Sequence, residues 1–173
     1  LTRRSPLRTI KYEYIITESN DPRGIDVALM YKPTTFRPFV HQSLRLPSTL
    51  ISKEHHVRDI LFVSGELYTG DTLDIIVCHL PSRLNGKQST YLRHNTINYM
   101  CQAIDSINHR RTAPHTIVMG DFNDMPQSRP LRPLTERQGL ICITDTLHGS
   151  YRYKGKWEQI DHIYLSPTLL HNT

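Results

Sequence analysis

The chain has 173 residues, 38% of them hydrophobic, which is enough for one domain with a sizeable core. No apolar run approaches the roughly 20 residues that a membrane-spanning helix needs, and the net charge of +5 with a pI near 9.2 favours partners that carry phosphate. Cys78, Cys101 and Cys142 are odd in number and lack Cys-x-x-Cys spacing, so they read as free thiols and not as a zinc site or a disulfide framework.

Taken in chain order, residues 1–6 carry two arginines with no apolar core behind them and do not read as a signal peptide. Strand signals rich in Ile, Val, Tyr and Phe fall near 10–16, 25–31 and 36–45, with Asp21-Pro22-Arg23-Gly24 as a turn. Asp26 reads as structural. His55-His56 is a polar pair with no third ligand nearby. Two more strands are predicted over 59–68 and 72–79, joined through Thr69-Gly70-Asp71. One long helix is predicted from about Gln88 to Asn108, because Leu92, Thr96, Tyr99, Met100, Ala103, Ile104 and Ile107 recur at three-to-four spacing. A strand over 115–120 and a shorter helix over 128–138, with Pro130 near its first turn, come next. The last strand signals are 140–144, 150–153 and 158–165, with Lys154-Gly155 as the tip of a hairpin ending in Trp157. Hairpin-linked strands followed by strand–helix–strand predict an α/β fold of mixed sheets covered by helices.

The segment from His115 to Pro126 says most about chemistry. Ile117, Val118 and Met119 form a buried-strand run, Gly120 ends it at a turn, and Asp121 and Asn123 follow on either side of Phe122. Asp121 suits a hard divalent cation or an attacking water, and Asn123 a phosphoryl oxygen or the same water. On its spacing alone the segment reads more readily as a strand ending in an Asx-rich turn. His79 stands at the end of an apolar run, where a capped core histidine is the ordinary outcome. Arg83, four residues on, is placed either to clamp a phosphate oxygen or to lie solvated in a loop. Asp161 sits between Ile160 and Ile163, where an ionised carboxylate is costly unless paired or metal-bound. His162 reads as an aromatic packing or substrate-wall residue. The run Tyr151-Arg152-Tyr153-Lys154-Gly155-Lys156-Trp157 interleaves aromatic and basic groups. It could follow a nucleic-acid backbone and stack a base, with Arg152 and Trp157 as contacts, or be a plain surface hairpin.

Four segments in order resemble the endonuclease/exonuclease/phosphatase superfamily, the DNase-I-like metal-dependent phosphoesterases. They are Gly24–Tyr31 followed by Lys32, Ile75–Arg83 with its His-Leu-Pro-Ser-Arg, Met119–Asp124 with its Gly-Asp-Phe-Asn-Asp, and Ile160–Ile163 with its Ile-Asp-His-Ile. The resemblance implies two packed mixed or antiparallel β-sheets flanked by helices, a four-layer sandwich with the active site at one edge. It implies hydrolysis of a phosphate ester with Mg²⁺ or Mn²⁺ as cofactor. In that reading Asp121 and Asp161 are metal-binding, and His79, Asp121, Asn123 and Asp161 are catalytic. Arg83, Arg152 and Trp157 bind substrate. The family's upstream Asn strand and Gln-Glu pair, and its terminal Ser-Asp-His-x-Pro motif, have no match. The chain is therefore expected to be an internal part of a single domain, incomplete at both termini and able to self-associate through uncovered sheet edges. Three readings of function stay open: a nuclease, a phosphatase or phosphodiesterase acting on a small or lipid-derived phosphate, and a catalytically incomplete binding module.

Overall fold

A computed structural model describes residues 9, 11–19, 21–51, 57–145 and 148–170; His55 and His56, together with the first residue of the predicted 10–16 strand, lie outside these. Ten strands are present among the described residues. They are β1 (Glu13–Ile16), β2 (Ala28–Tyr31), β3 (Phe36–Leu44), β4 (Ile60–Leu67), β5 (Thr72–His79), β6 (His115–Asp121), β7 (Ile141–Cys142), β8 (Tyr151–Tyr153), β9 (Lys156–Glu158) and β10 (Asp161–Leu165). Three α-helices accompany them among the described residues: α1 (Gly86–Asn108), α2 (Arg132–Glu136) and α3 (Pro167–Leu170).

Six strands form one mixed sheet in the order β3-β4-β5-β6-β10-β7. Only β5 and β6 run parallel, and α1 makes the crossover between them, as a parallel pair requires. β3 lies at the sheet edge and bears a bulge between Pro38 and Val40, a position where a residue without an N–H costs no ladder bond. β1 and β2 pair as a separate ribbon, as do β8 and β9.

Side-chain alternation divides the large sheet into two faces. One face sends Ile76, Cys78, Val118 and Tyr164 against Ile97, Met100, Cys101 and Ile104 of α1, with Leu131 and Leu134 closing the cluster. The other sends Val63, Ile75 and Val77 against Leu29 of the ribbon, with Ile15, Tyr31 and Met119 at the margin. The expected pair of packed β-layers is thus a six-stranded sheet against a two-stranded ribbon among the described residues. Hairpin turns fall where the sequence puts them. Lys154 and Gly155 both take positive φ, at 47° and 80°, which two-residue hairpins of right-handed twist demand.

Three elements differ from the sequence reading. The predicted helix over 128–138 contracts to Arg132–Glu136, with Pro133 and not Pro130 in its first turn. A helix begun at 128 would carry Pro133 in its interior, where proline lacks the required N–H and clashes with the preceding turn. The strand predicted over 158–165 divides in two, since Glu158 pairs within the hairpin and Asp161 pairs with β6. Gly120 does not end a strand: β6 runs through it to Asp121. Its φ is 140°, and a Cβ there would stand 1.9 Å from the carbonyl oxygen of Cys78. The glycine is required by close approach of β5 and not by a turn.

That approach generates a prediction. Gly120→Ala should destabilise the fold by at least about 2 kcal/mol, because both the backbone angle and the neighbouring carbonyl must give way. Equilibrium urea unfolding measures it; an unchanged midpoint would show that the two strands can separate without cost.

Candidate active site

Register brings three side chains into one row. His79 of β5 is paired with Asp121 of β6, and Asp121 with Asp161 of β10. Because β5 and β6 are parallel and β10 is antiparallel to them, two strand ends and one strand start meet at the same edge. Alternation puts all three side chains on the face that carries Val77, Met119 and Ile163, away from α1. His79 Nε2 lies 3.5 Å from Asp121 Oδ2, with 31% and 29% of the two side chains exposed. Asp161 is exposed, so it bears no burial penalty, contrary to the sequence argument that set it in an apolar strand. An apolar trough of about 440 Å³ adjoins the row, walled by Val77, Met119, Ile143 and Ile163.

The chain beyond Asp121 is fixed from both sides. Leu80 N–H donates to the carbonyl of Asp121 at 2.8 Å, and Phe122 N–H donates to the carbonyl of Ile160 at 2.8 Å. Phe122 is fully buried and packs on Tyr164 and His162. Asn123 then adopts φ 50°, a left-handed conformation that asparagine tolerates better than most residues. Its N–H donates to Asp121 Oδ1 at 2.8 Å, and its Nδ2 donates to the carbonyl of Leu80 at 2.9 Å. These bonds hold the Asn123 side chain beside the row and, among the described residues, leave its Oδ1 and one amide hydrogen uncommitted.

Two arginines that sequence reading passed over shape the site. Arg93 of α1 is buried, and its guanidinium reaches Asp124 Oδ2 at 3.1 Å and the carbonyls of Pro81 and Ser82 at 3.2 and 3.3 Å. It ties the loop after β5 to the loop after β6. The signal was available: Arg93 falls between Leu92 and Thr96 within the buried stripe, where a charge needs partners. Arg58, just before β4, is also buried, and lies 3.2 Å from Asp21 Oδ2. Its Nε has no hydrogen-bond partner among the described residues. Asp21 also accepts from Arg23 at 2.9 and 3.1 Å, and these bonds pull its carboxyl down to about 2. The only sequence sign of Arg58 was a charged pair, Arg58-Asp59, opening an apolar strand.

The charges act on one another. Burial first, then Arg58 and Arg23, push the His79 imidazole down to about 4, while Asp21 and Asp161 oppose them. His79 is therefore neutral at physiological pH. Burial raises the Asp121 carboxyl above its ordinary value. The Asn123 N–H opposes that rise, Asp161 reinforces it and Arg58 opposes it.

The remaining sequence candidates are placed as follows. Arg83 Nη2 is hydrogen-bonded to Glu158 Oε2 of β9, so its guanidinium is engaged within the protein. His162 is buried against Phe122 and Tyr164, and its Nε2 lies 2.8 Å from the carbonyl of Asp124, a packing role. Asp26 accepts from the backbone and hydroxyl of Ser19, a structural role. Arg152 stands opposite Trp157 in the hairpin, and Trp157 is 63% exposed. On the hairpin's other face Tyr151 and Tyr153 stack at 6.3 Å, with Lys154 5.3 Å from the Tyr153 ring. All three cysteines are free. Among the described residues no group of three or more His, Cys, Asp or Glu side chains could hold a metal ion.

Several solved structures share this architecture. The human Nocturnin catalytic domain with bound sulfate anion superposes with a TM-score of 0.74 at 18% identity, covering 94% of this chain and 63% of that one. Truncated Caenorhabditis elegans TDP2 gives 0.67 at 15% identity, covering 93% and 64%. Mannosyl-6-phosphatase Bt3783 of Bacteroides thetaiotaomicron VPI-5482 gives 0.68 at 18% identity, covering 90% and 63%. The chain thus spans under two-thirds of the length of these structures. No curated protein sequence matches it significantly. The model of the Endonuclease/Exonuclease/phosphatase family matches residues 1–173 throughout, and it is to this family that the chain belongs.

Proposed function

We propose that this chain carries the core of a divalent-metal-dependent phosphoesterase site, used for phosphodiester cleavage. The observation that carries the proposal is the single row of His79, Asp121 and Asp161 on adjacent strands, with Asn123 held beside it. Two carboxylates fit Mg²⁺ or Mn²⁺ in a limited way, since Mg²⁺ is commonly bound by one or two carboxylates and completed by water and substrate phosphate. Asp121 and Asp161 would hold it. When bound, the cation would neutralise charge on the phosphoryl oxygens.

The chain's own groups supply the rest. Asp121, held in place by the Asn123 N–H, orients the attacking water. Asn123 offers its uncommitted amide hydrogen to an equatorial phosphoryl oxygen, already fixed in place by Leu80. His79 is neutral, which favours hydrogen bonding to phosphate over delivery of a proton to the leaving oxygen. Arg58 and Arg23 set positive charge near the row, with Asp21 keeping both in position. Arg152 and Trp157 would meet the substrate beyond the scissile bond. A phosphomonoester substrate has one specific support. Arg83 is neutralised by Glu158, which removes a cation from the surface that would follow a polynucleotide backbone.

Three outcomes are expected. In a Mg²⁺-dependent assay with bis(p-nitrophenyl) phosphate, Asp121→Asn and Asn123→Ala should each lower kcat by at least about 10²-fold, with little change in unfolding midpoint. Near-wild-type turnover in both would refute the assignment, and no metal-dependent turnover in the unaltered chain would leave a binding module in its place. His79→Ala should lower turnover while the thermal midpoint moves by only a few degrees. A collapsed midpoint, with specific activity retained in the folded fraction, would make His79 a core residue. Substituting Lys154 and Lys156 together by alanine should weaken DNA binding and reduce the slope of log affinity against log salt by about 1–2. An unchanged slope would favour the monoester substrate.

A further inference from the structure

At the far end of β5 from the candidate active site lies a buried carboxylate that the proposed chemistry does not use. Asp74 has 1% of its side chain exposed, in the middle of a strand whose neighbours are apolar. A buried charge of this kind is costly unless fully partnered. Its partners are Ser64 of β4, whose hydroxyl is hydrogen-bonded to Asp74 Oδ1, and Arg111, just beyond α1. Arg111 binds it in two-pronged fashion: Nε donates to Oδ2 and Nη2 to Oδ1, both at 3.2 Å, while Nη2 also reaches Ser64 Oγ at 2.9 Å. These bonds engage Nε and Nη2 and leave Nη1 outside them. A rigidly held guanidinium edge results, at the floor of a cleft of about 400 Å³.

The rest of the cleft has a definite chemistry. Phe39, Phe62 and Ile107 give it apolar walls, and Arg110 stands at its mouth. Its charged lining is Arg110, Arg111 and Asp74; the last two cancel, so one positive charge remains. A second hollow of about 240 Å³ shares Phe62, Ile107 and Arg110 with the first and continues along α1 past Ala103. Asp74 and His79 are five residues apart on one strand, about 17 Å at the usual rise, so this is a different place from the row of carboxylates.

We propose that this cleft binds an organic monoanion with an apolar body. Its carboxylate is taken by the free edge of Arg111 and by Arg110, and its body lies between Phe39 and Phe62 and extends along α1. One surplus positive charge matches a single carboxylate better than a phosphate dianion. Pre-positioning of Arg111 by Asp74 and Ser64 means that little side-chain entropy is lost on binding.

The test is amide-shift mapping on the ¹⁵N-labelled chain, titrated separately with 2-naphthoate, decanoate and the neutral 2-naphthamide. Either carboxylate should shift the amides of Phe62, Ser64, Ile107 and Arg111, and the two together report whether the apolar body is flat or extended. 2-Naphthamide should bind at least about tenfold more weakly than 2-naphthoate. Arg110→Glu and Phe39→Ala both alter exposed side chains, so the fold should survive. Each should weaken carboxylate binding about tenfold, with the unfolding midpoint unchanged. Equal binding of acid and amide, shifts confined to Met119 and Ile163, no loss in Arg110→Glu, or no binding of either carboxylate would each overturn the proposal. Asp74, Ser64 and Arg111 would then serve only to anchor the end of α1.

Discussion

Because β5 and β6 run in parallel, both end at the same edge of the sheet, and the last side chain of each can stand level with the other. His79 and Asp121 owe their pairing to that. An antiparallel pair in their place would have sent the two groups to opposite edges. The parallel arrangement requires a crossover of a dozen residues or more, and α1 supplies it, bringing the apolar stripe that buries one face of the sheet. Register is as strongly constrained as direction, since a slip of one residue would turn Asp121 towards α1 and Val118 towards the open face. Gly120 helps fix that register from within, because only a residue without Cβ lets the carbonyl of Cys78 come so near.

Around the row, charge is arranged in opposition. Two carboxylates adjoin across β6 and β10, and Asp161 raises the cost of ionising Asp121. Arg58 and Arg23 stand nearby, and both depress His79. Asp21 keeps these arginines in place and partly cancels them. Such an arrangement is poorly suited to stability alone: apolar residues of similar volume would fill the space at lower cost. On the proposed reading its sense lies in a guest that carries negative charge, which Arg58 and Arg23 would meet, and in a cation that Asp121 and Asp161 would meet.

Much of this was legible in the sequence. The runs Ile75–Cys78 and Ile117–Met119 announced buried strands because every residue in them is apolar, and α1 announced itself through its three-to-four spacing. Lys154-Gly155 fixed its own hairpin by turn chemistry alone. The short helix was misjudged because Pro130 was placed near its first turn, whereas Pro133 decides where it begins. Gly120 was misjudged because a glycine after an apolar run looks the same whether the chain turns there or a neighbouring strand presses close. The carboxylates and His79 were marked by residue type at strand ends. Arg58 and Asp21 were not, because they come from separate parts of the chain and meet only through the fold. Burial of Asp161 was wrongly inferred from its neighbours: Ile163 shares its exposed face of β10, while His162 and Tyr164 point to the buried one.

Arg93 bears on how such a site could vary over evolutionary time. One guanidinium rising from α1 holds two loops by their inner surfaces, through two backbone carbonyls and one carboxylate. Backbone carbonyls are present whatever residue occupies the position. The outward side chains of residues 81–85 are therefore free to diverge along a path inherited from the helix beneath, whereas the second loop keeps its path only with the Asp124 carboxylate. A lineage could explore new specificities on that surface without rebuilding the row of His79, Asp121 and Asp161.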